Sequence, residues 1–261
     1  MSSLTLLKGK EREVKTSGVA SINGTPLNYI VVLSTVVTVL AFVPFSITIG
    51  SGGLFPMSQG IFPLVGWLLG PLAGAITSGM GTLIGVFLAP HTAGIPLISI
   101  WGAVIASFTS GVMSSGKGNT CWRFVLTLIF VIELFLYTHH ALSNGVSLPT
   151  IIAGSFIDWS GILLFALPTC SLIAQCINSQ KPFLVTVGLF LGTWMVMGVS
   201  HLGQVVITYY MFNWPEETWL FLAPIIPLEN LIRSLIGAFI GIRVISGLRV
   251  IGLMKPKQAI Y

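Results

Sequence analysis

Ile30-Val-Val-Leu-Ser-Thr-Val-Val-Thr-Val-Leu-Ala-Phe-Val-Pro-Phe45 holds no charged side chain, and neither does Leu184-Val-Thr-Val-Gly-Leu-Phe-Leu-Gly-Thr-Trp-Met-Val-Met-Gly-Val199. Both runs are continuously apolar and do not alternate, which favours helices buried in an apolar medium over half-buried strands. The surroundings extend the pattern. Between Lys15 and Lys117 there is no Asp, Glu, Lys or Arg at all. Over the 261 residues, 54% are apolar and 7% charged, whereas a soluble chain carries about a quarter charged residues. Such a chain must keep most of its surface away from water, and it reads as a polytopic membrane protein of the cell membrane.

Only helices and closed barrels pair every backbone amide within lipid. A barrel would alternate over roughly ten-residue segments, so the expected fold is all-α, a transmembrane helical bundle. Eight segments can be drawn: 29–50, 54–70, 72–89, 95–113, 122–142, 150–177, 183–212 and 219–252. Basic residues mark cytoplasmic loops. With the tail inside, eight crossings place Lys117, Arg123, Lys181, Arg249, Lys255 and Lys257 inside. The outer loops then lack Lys and Arg, and one carries Glu216 and Glu217. Both termini are expected in the cytoplasm. A six-crossing alternative merges the second and third segments into a re-entrant hairpin. The expected organisation is a polar, basic cytoplasmic tail over 1–28 (Lys8, Lys10, Arg12, Lys15), a bundle over 29–253 and a cytoplasmic tail over 254–261.

Little points to an enzyme. Cys121, Cys170 and Cys176 form no CxxC or paired framework. His91, His139, His140 and His201 match no zinc spacing. Gly111 to Lys117 fits GxxxxGK, but Gly118 stands where a phosphate loop needs a magnesium-binding hydroxyl, and no strand precedes it. No cofactor is expected, and the net charge of +5 sits at membrane edges, where it implies lipid headgroups and not nucleic acid.

Intramembrane charges are the sharper signal, because each needs a partner, a ligand or water. Glu133 and Asp158 read as relay carboxylates or as neutral hydrogen-bonding groups. Glu229 and Arg233 stand at i, i+4, either as an intrahelical pair or as ligand contacts, in a helix expected to start or break at Pro224 and Pro227. Trp214 and Trp219 are expected in an interfacial belt. Glycines four apart, Gly66/Gly70/Gly74, Gly81/Gly85, Gly188/Gly192 and Gly237/Gly241, are expected at close helix contacts.

Two stretches carry a family likeness. Val43-Pro-Phe-Ser-Ile-Thr-Ile-Gly50, Gln59-Gly-Ile-Phe-Pro63, Gly70-Pro-Leu-Ala-Gly74 and Gly81-Thr-Leu-Ile-Gly85 resemble the early part of the substrate-binding (S) components of energy-coupling-factor transporters. Pro224-Ile-Ile-Pro-Leu-Glu229, followed by Gly237 and Gly241, is similar to their last helix. The resemblance implies a small membrane protein that captures a vitamin-like micronutrient for uptake. It also implies two kinds of partner, a coupling transmembrane subunit and cytoplasmic ATPases. The chain departs from the family in its count of eight segments against a typical six. It also has Ser34-x-x-x-Thr38 with Ala41 where many members dock through Ala-x-x-x-Ala.

The expected site lies in the outer half, between the Ser51–Pro56 loop, the His91 loop and the outer ends of the later helices. Its candidate contacts are Gln59, His91, Trp159, His201, Gln204 and Glu229. The competing readings are a proton-coupled secondary transporter using Glu133, Asp158 and Glu229, and a non-transporting subunit of a larger membrane complex.

Overall fold

The computed structural model describes residues 20–48, 53–114, 117–252 and 255–261. The basic tail residues Lys8, Lys10, Arg12 and Lys15, the loop residues Gly50 to Gly52, and Gly116 lie outside them. Among the described residues there are ten α-helices and two short antiparallel hairpins.

A small hairpin, β1 (Ser21–Ile22) and β2 (Thr25–Pro26), leads into α1 (Leu27–Ala41). The buried face of α1 is Ile30, Ser34, Val37, Thr38 and Ala41, a helical spacing. It packs on α3 (Pro71–Leu88), where Gly81 and Gly85 leave room. Ser34 Oγ donates to the Thr77 carbonyl at 3.0 Å and Thr38 Oγ1 to the Gly81 carbonyl at 3.0 Å. The face that would match the family's docking motif is therefore occupied inside this chain.

The apolar pattern predicts a first helix reaching Gly50, but the helix stops at Ala41. Pro44 disfavours helical geometry in the residue before it. The chain then extends into β3 (Pro44–Thr48), which pairs with β4 (Gly53–Pro56). A 3-10 turn, Met57–Ile61, leads to α2 (Phe62–Leu69), whose eight residues are all buried. Gly70 adopts φ +84° between α2 and α3, a conformation that only glycine takes without strain. Pro71 then begins α3, where its missing N–H costs nothing. The second and third segments are thus two helices joined at one glycine.

A 3-10 turn at Pro90–Thr92 connects α3 to α4 (Pro96–Val112). A Cβ on Gly66 would overlap the Ser107 carbonyl of α4, and one on Gly111 would overlap the Gly70–Pro71 backbone. At these points α2, α3 and α4 meet backbone to backbone, as small residues allow in lipid. Gly192 meets Trp67, and Gly237 meets Thr193 and the Gly60 carbonyl.

The second half is α5 (Lys117–Ser143), α6 (Leu148–Gly154), α7 (Phe156–Ala166), α8 (Thr169–Ile177), α9 (Pro182–Phe212) and α10 (Glu216–Ile251). The segment expected as one helix over 150–177 is broken twice, with α6 and α7 bent by 64° and Pro168 before α8. In α10 the reverse holds. Pro224 and Pro227 lie inside a continuous helix of 36 residues, so they open no new helix. Each removes a donor to the carbonyl four residues earlier, but packing on α9 and α6 carries the helix through.

Helices α3, α5, α9 and α10 are long and apolar enough to cross a membrane, and the bent pair α6–α7 makes a fifth candidate. Leu27–Ala41, Met57–Leu69 and Pro96–Val112 are shorter apolar helices. Large side chains such as Phe87, Phe124, Phe135, Phe183 and Phe239 are exposed around the bundle, the arrangement expected of a protein solvated by lipid.

The first and last described residues meet at one end of the bundle. Asn23 Nδ2 donates to Gln258 Oε1 at 3.2 Å, and the Ile260 amide donates to the Trp67 carbonyl at 2.9 Å. The β3–β4 hairpin and the His91 turn lie at the opposite end of α1 and α3.

Candidate ligand-binding site

At the hairpin end, α10 carries a polar cluster among apolar neighbours. Arg233 Nη2 donates to Glu229 Oε2 at 3.3 Å, and the two residues are 3% and 7% exposed. The hairpin supplies the lid over this pair. The guanidinium carbon lies 4.9 Å from the ring centre of Phe55 on β4 and 5.7 Å from that of Phe45 on β3. Two aromatic faces thus hold the guanidinium, an interaction that strengthens when desolvated.

Further polar atoms converge on the same stretch of α10. Asn230 is fully buried and donates from Nδ2 to the Trp194 carbonyl at 3.2 Å, while its Oδ1 has no partner among the described residues. Arg233 Nε and Thr193 Oγ1 are likewise buried without partners among the described residues. Gln59, buried in the 3-10 turn, precedes Gly60, which packs against Ile236 and the Arg233 carbonyl. Buried polar groups are ordinarily satisfied. Among the described residues, a donor, an acceptor and a hydroxyl thus remain open on this stretch, beside an ion pair.

Of the six residues expected at the site, Glu229 belongs to this cluster, and Gln59 stands next to Gly60, which packs against it. His91 stands at its edge. Its turn adjoins β4, but its ring is exposed and Nε2 lies 3.4 Å from the Phe42 carbonyl. The other three lie elsewhere. His201 Nδ1 is 2.7 Å from Asp158 Oδ1, a couple between α9 and α7 whose carboxylate is fully buried. Gln204 donates back to the Ser200 carbonyl at 3.0 Å and packs on Gly102 of α4. Trp159 donates to the Ile152 carbonyl at 3.1 Å. Helical position puts these residues in the same half of the bundle, but their azimuths direct them to different helices.

Trp219 leaves the expected interfacial belt. It is buried and stacks on Tyr137 at 4.9 Å, with Tyr209 edge-on at 5.3 Å. Glu216 ties α10 to α6, accepting from the Ser147 hydroxyl and from Thr150 Oγ1 at 2.7 Å. Among the described residues no three of His, Cys, Asp and Glu gather as a metal ion requires.

Phe45, Phe55, Asn230 and Thr193 join the site without having stood out in the sequence. Asn230 is visible beside Glu229 as part of a polar group in an apolar helix. The phenylalanines become relevant only once β3 pairs with β4.

No protein-family model, curated protein or solved structure matches this chain.

Proposed function

We propose that this chain is a membrane-embedded substrate-binding component, similar to the S components of energy-coupling-factor transporters, which captures a vitamin-like micronutrient. Uptake is then powered by separate chains, a coupling membrane subunit and cytoplasmic ATPases. The observation that carries this reading is the buried Glu229–Arg233 pair beneath Phe45 and Phe55 of the β3–β4 hairpin. A binding component needs a desolvated recognition group under a cover, and this is the best-built candidate in the fold. Eight passages complete the proposal: α1, Met57–Leu69, α3, α4, α5, the α6–α8 unit, α9 and α10. Both termini then lie in the cytoplasm and the hairpin outside. Docking on the coupling subunit would use a surface other than Ser34–Thr38, which α3 covers.

The test is native mass spectrometry of the purified chain for a co-purified small molecule, repeated on Arg233→Met. A bound species present in the native chain and absent from the folded variant supports the reading. A bound species retained by the variant removes the α10 cluster from the site.

The buried Asp158–His201 couple favours a second reading, a proton-coupled secondary transporter, because a carboxylate and an imidazole at 2.7 Å can exchange a proton. Uptake by the lone chain in liposomes under a pH gradient would support it, and uptake only with ATPase partners would reject it.

A further inference from the structure

A cavity of about 170 Å³ opens between α4 and α5, away from the hairpin. Its walls are aliphatic and aromatic, with Phe108 and Phe130 among them. Besides the indole N–H of Trp101, two polar groups break that lining. Glu133 Oε2 on α5 is buried and has no hydrogen-bond partner among the described residues. Thr109 on α4 is 0% exposed, and its Oγ1 likewise has none. Gly203 of α9 packs behind this lining. A Cβ there would stand 3.8 Å from both Glu133 Oε2 and Trp101 Nε1, and would press on Ile105, itself a lining residue. The rim faces outward from the bundle, since Trp101 is 45% and Ile129 42% exposed.

A carboxylate oxygen buried in apolar surroundings without a donor is costly. Among the described residues no Lys, Arg or His lines the cavity, so its walls offer no cation to Glu133. The hydroxyl of Thr109 could bond within its own helix but does not, and it remains open to the same space. The volume is close to that of cavities that accept one aromatic ring. We infer that the α4–α5 cavity is a second ligand site, taking a single-ring apolar monocation whose ammonium N–H donates to Glu133 and whose ring lies between Phe108 and Phe130. The exposed rim lets such an amphiphile enter sideways from the lipid. This site is separate from the α10 cluster and stands or falls independently of it.

The test uses the full chain in lipid nanodiscs and 2-phenylethylammonium as probe, with 3-phenylpropionate as the anion of matching shape. Binding is followed by isothermal titration. Saturable binding of the cation is expected, weakened at least tenfold for the anion and at least tenfold for the cation in Glu133→Gln. Ile129→Trp, a substitution on the exposed rim, fills the mouth with Glu133 intact and should abolish binding. That variant decides the matter if Glu133→Gln does not fold. Gly247→Ala, in open space on α10, should leave this binding unchanged. Equal binding of anion and cation, or undiminished binding in either cavity variant, would overturn the assignment, as would the absence of saturable binding in the native chain.

Discussion

Arg233 reaches back one turn along α10 to Glu229 at 3.3 Å, and both side chains are more than nine-tenths buried while Phe55 and Phe45 cover the guanidinium. A buried pair of this kind adds little net stability over an apolar replacement, but removing one partner strands the other charge. Glu229→Gln is therefore expected to destabilise the protein by about 3–5 kcal/mol, read as a lowered melting temperature in detergent. Replacing both together, Glu229→Met with Arg233→Leu, should recover most of that loss while abolishing binding at the α10 site. A double variant as unstable as the single one would mean that the pair carries net stability.

The close helix contacts make a second expectation. Gly66→Ala places a methyl group on the Ser107 backbone, and Gly111→Ala places one on the Gly70–Pro71 backbone. Neither backbone can rotate away, so each substitution should cost at least the roughly 1–3 kcal/mol of ordinary overpacking. Gly247 in α10 has open space around it, and Gly247→Ala should be neutral or stabilising by up to about 1 kcal/mol from helix propensity. Thermal melts of the three variants give the ranking, and a Gly66→Ala protein as stable as Gly247→Ala would contradict the packing.

Topology is decided by α9, whose 31 residues separate Lys181 from Glu216. A helix of that length spans roughly 46 Å, enough to put the two residues on opposite sides of a bilayer. In a cysteine-free background, a Cys at Glu216 should react with an impermeant maleimide from outside, and one at Lys181 only after the membrane is opened. The opposite pattern would invert the bundle.

Asp158 and His201 should act as a unit. Asp158→Ala and His201→Ala each remove the same 2.7 Å contact, so each is expected to cost about 1–3 kcal/mol. The double variant should lose less than the sum of the two. Strict additivity in the melts would show that the contact contributes nothing.

The C-terminal segment has its own pH response. Burial, with Tyr29 nearby, pushes the Tyr261 phenol up to about 12. An unfolded tyrosine titrates near 10, so the docked tail favours the protonated form. Its contribution is whole below about pH 10 and is lost as pH rises through about 12. The 295 nm absorbance difference between the native chain and Tyr261→Phe should show a late-titrating tyrosine, accompanied by easier proteolysis near Lys255. A midpoint near 10 would mean that the tail is not docked.

Part of the site is legible in the sequence and part is not, for geometric reasons. Glu229 and Arg233 can be paired from spacing alone, because residues four apart share a helix face. Gln59 stands out as a polar residue in an apolar stretch, but the contact of its neighbour Gly60 with α10 joins segments far apart in the chain. The helix start expected at Glu229 is absent, since α10 begins thirteen residues earlier at Glu216. Prolines argue against a helix locally, but they do not end one that neighbouring helices hold in place.

The sequence by itself carried the all-α architecture and the apolar composition. A chain with no charge between Lys15 and Lys117 yields helices long and apolar enough to cross a membrane, and lipid leaves a backbone few options besides helices. It also determined where helices approach closely, because a glycine at Gly66 or Gly81 is the mark of a missing side chain wherever it packs. The tertiary structure alone decided where those helices stop and what each polar group meets. Pro44 could end a helix, but only β4 makes Pro44–Thr48 a strand. His201, Trp159 and Gln204 lie in one half of the bundle, yet the rotation of each helix about its axis sends them to separate neighbours. That rotation is fixed by packing between distant segments, which no local pattern of residues encodes.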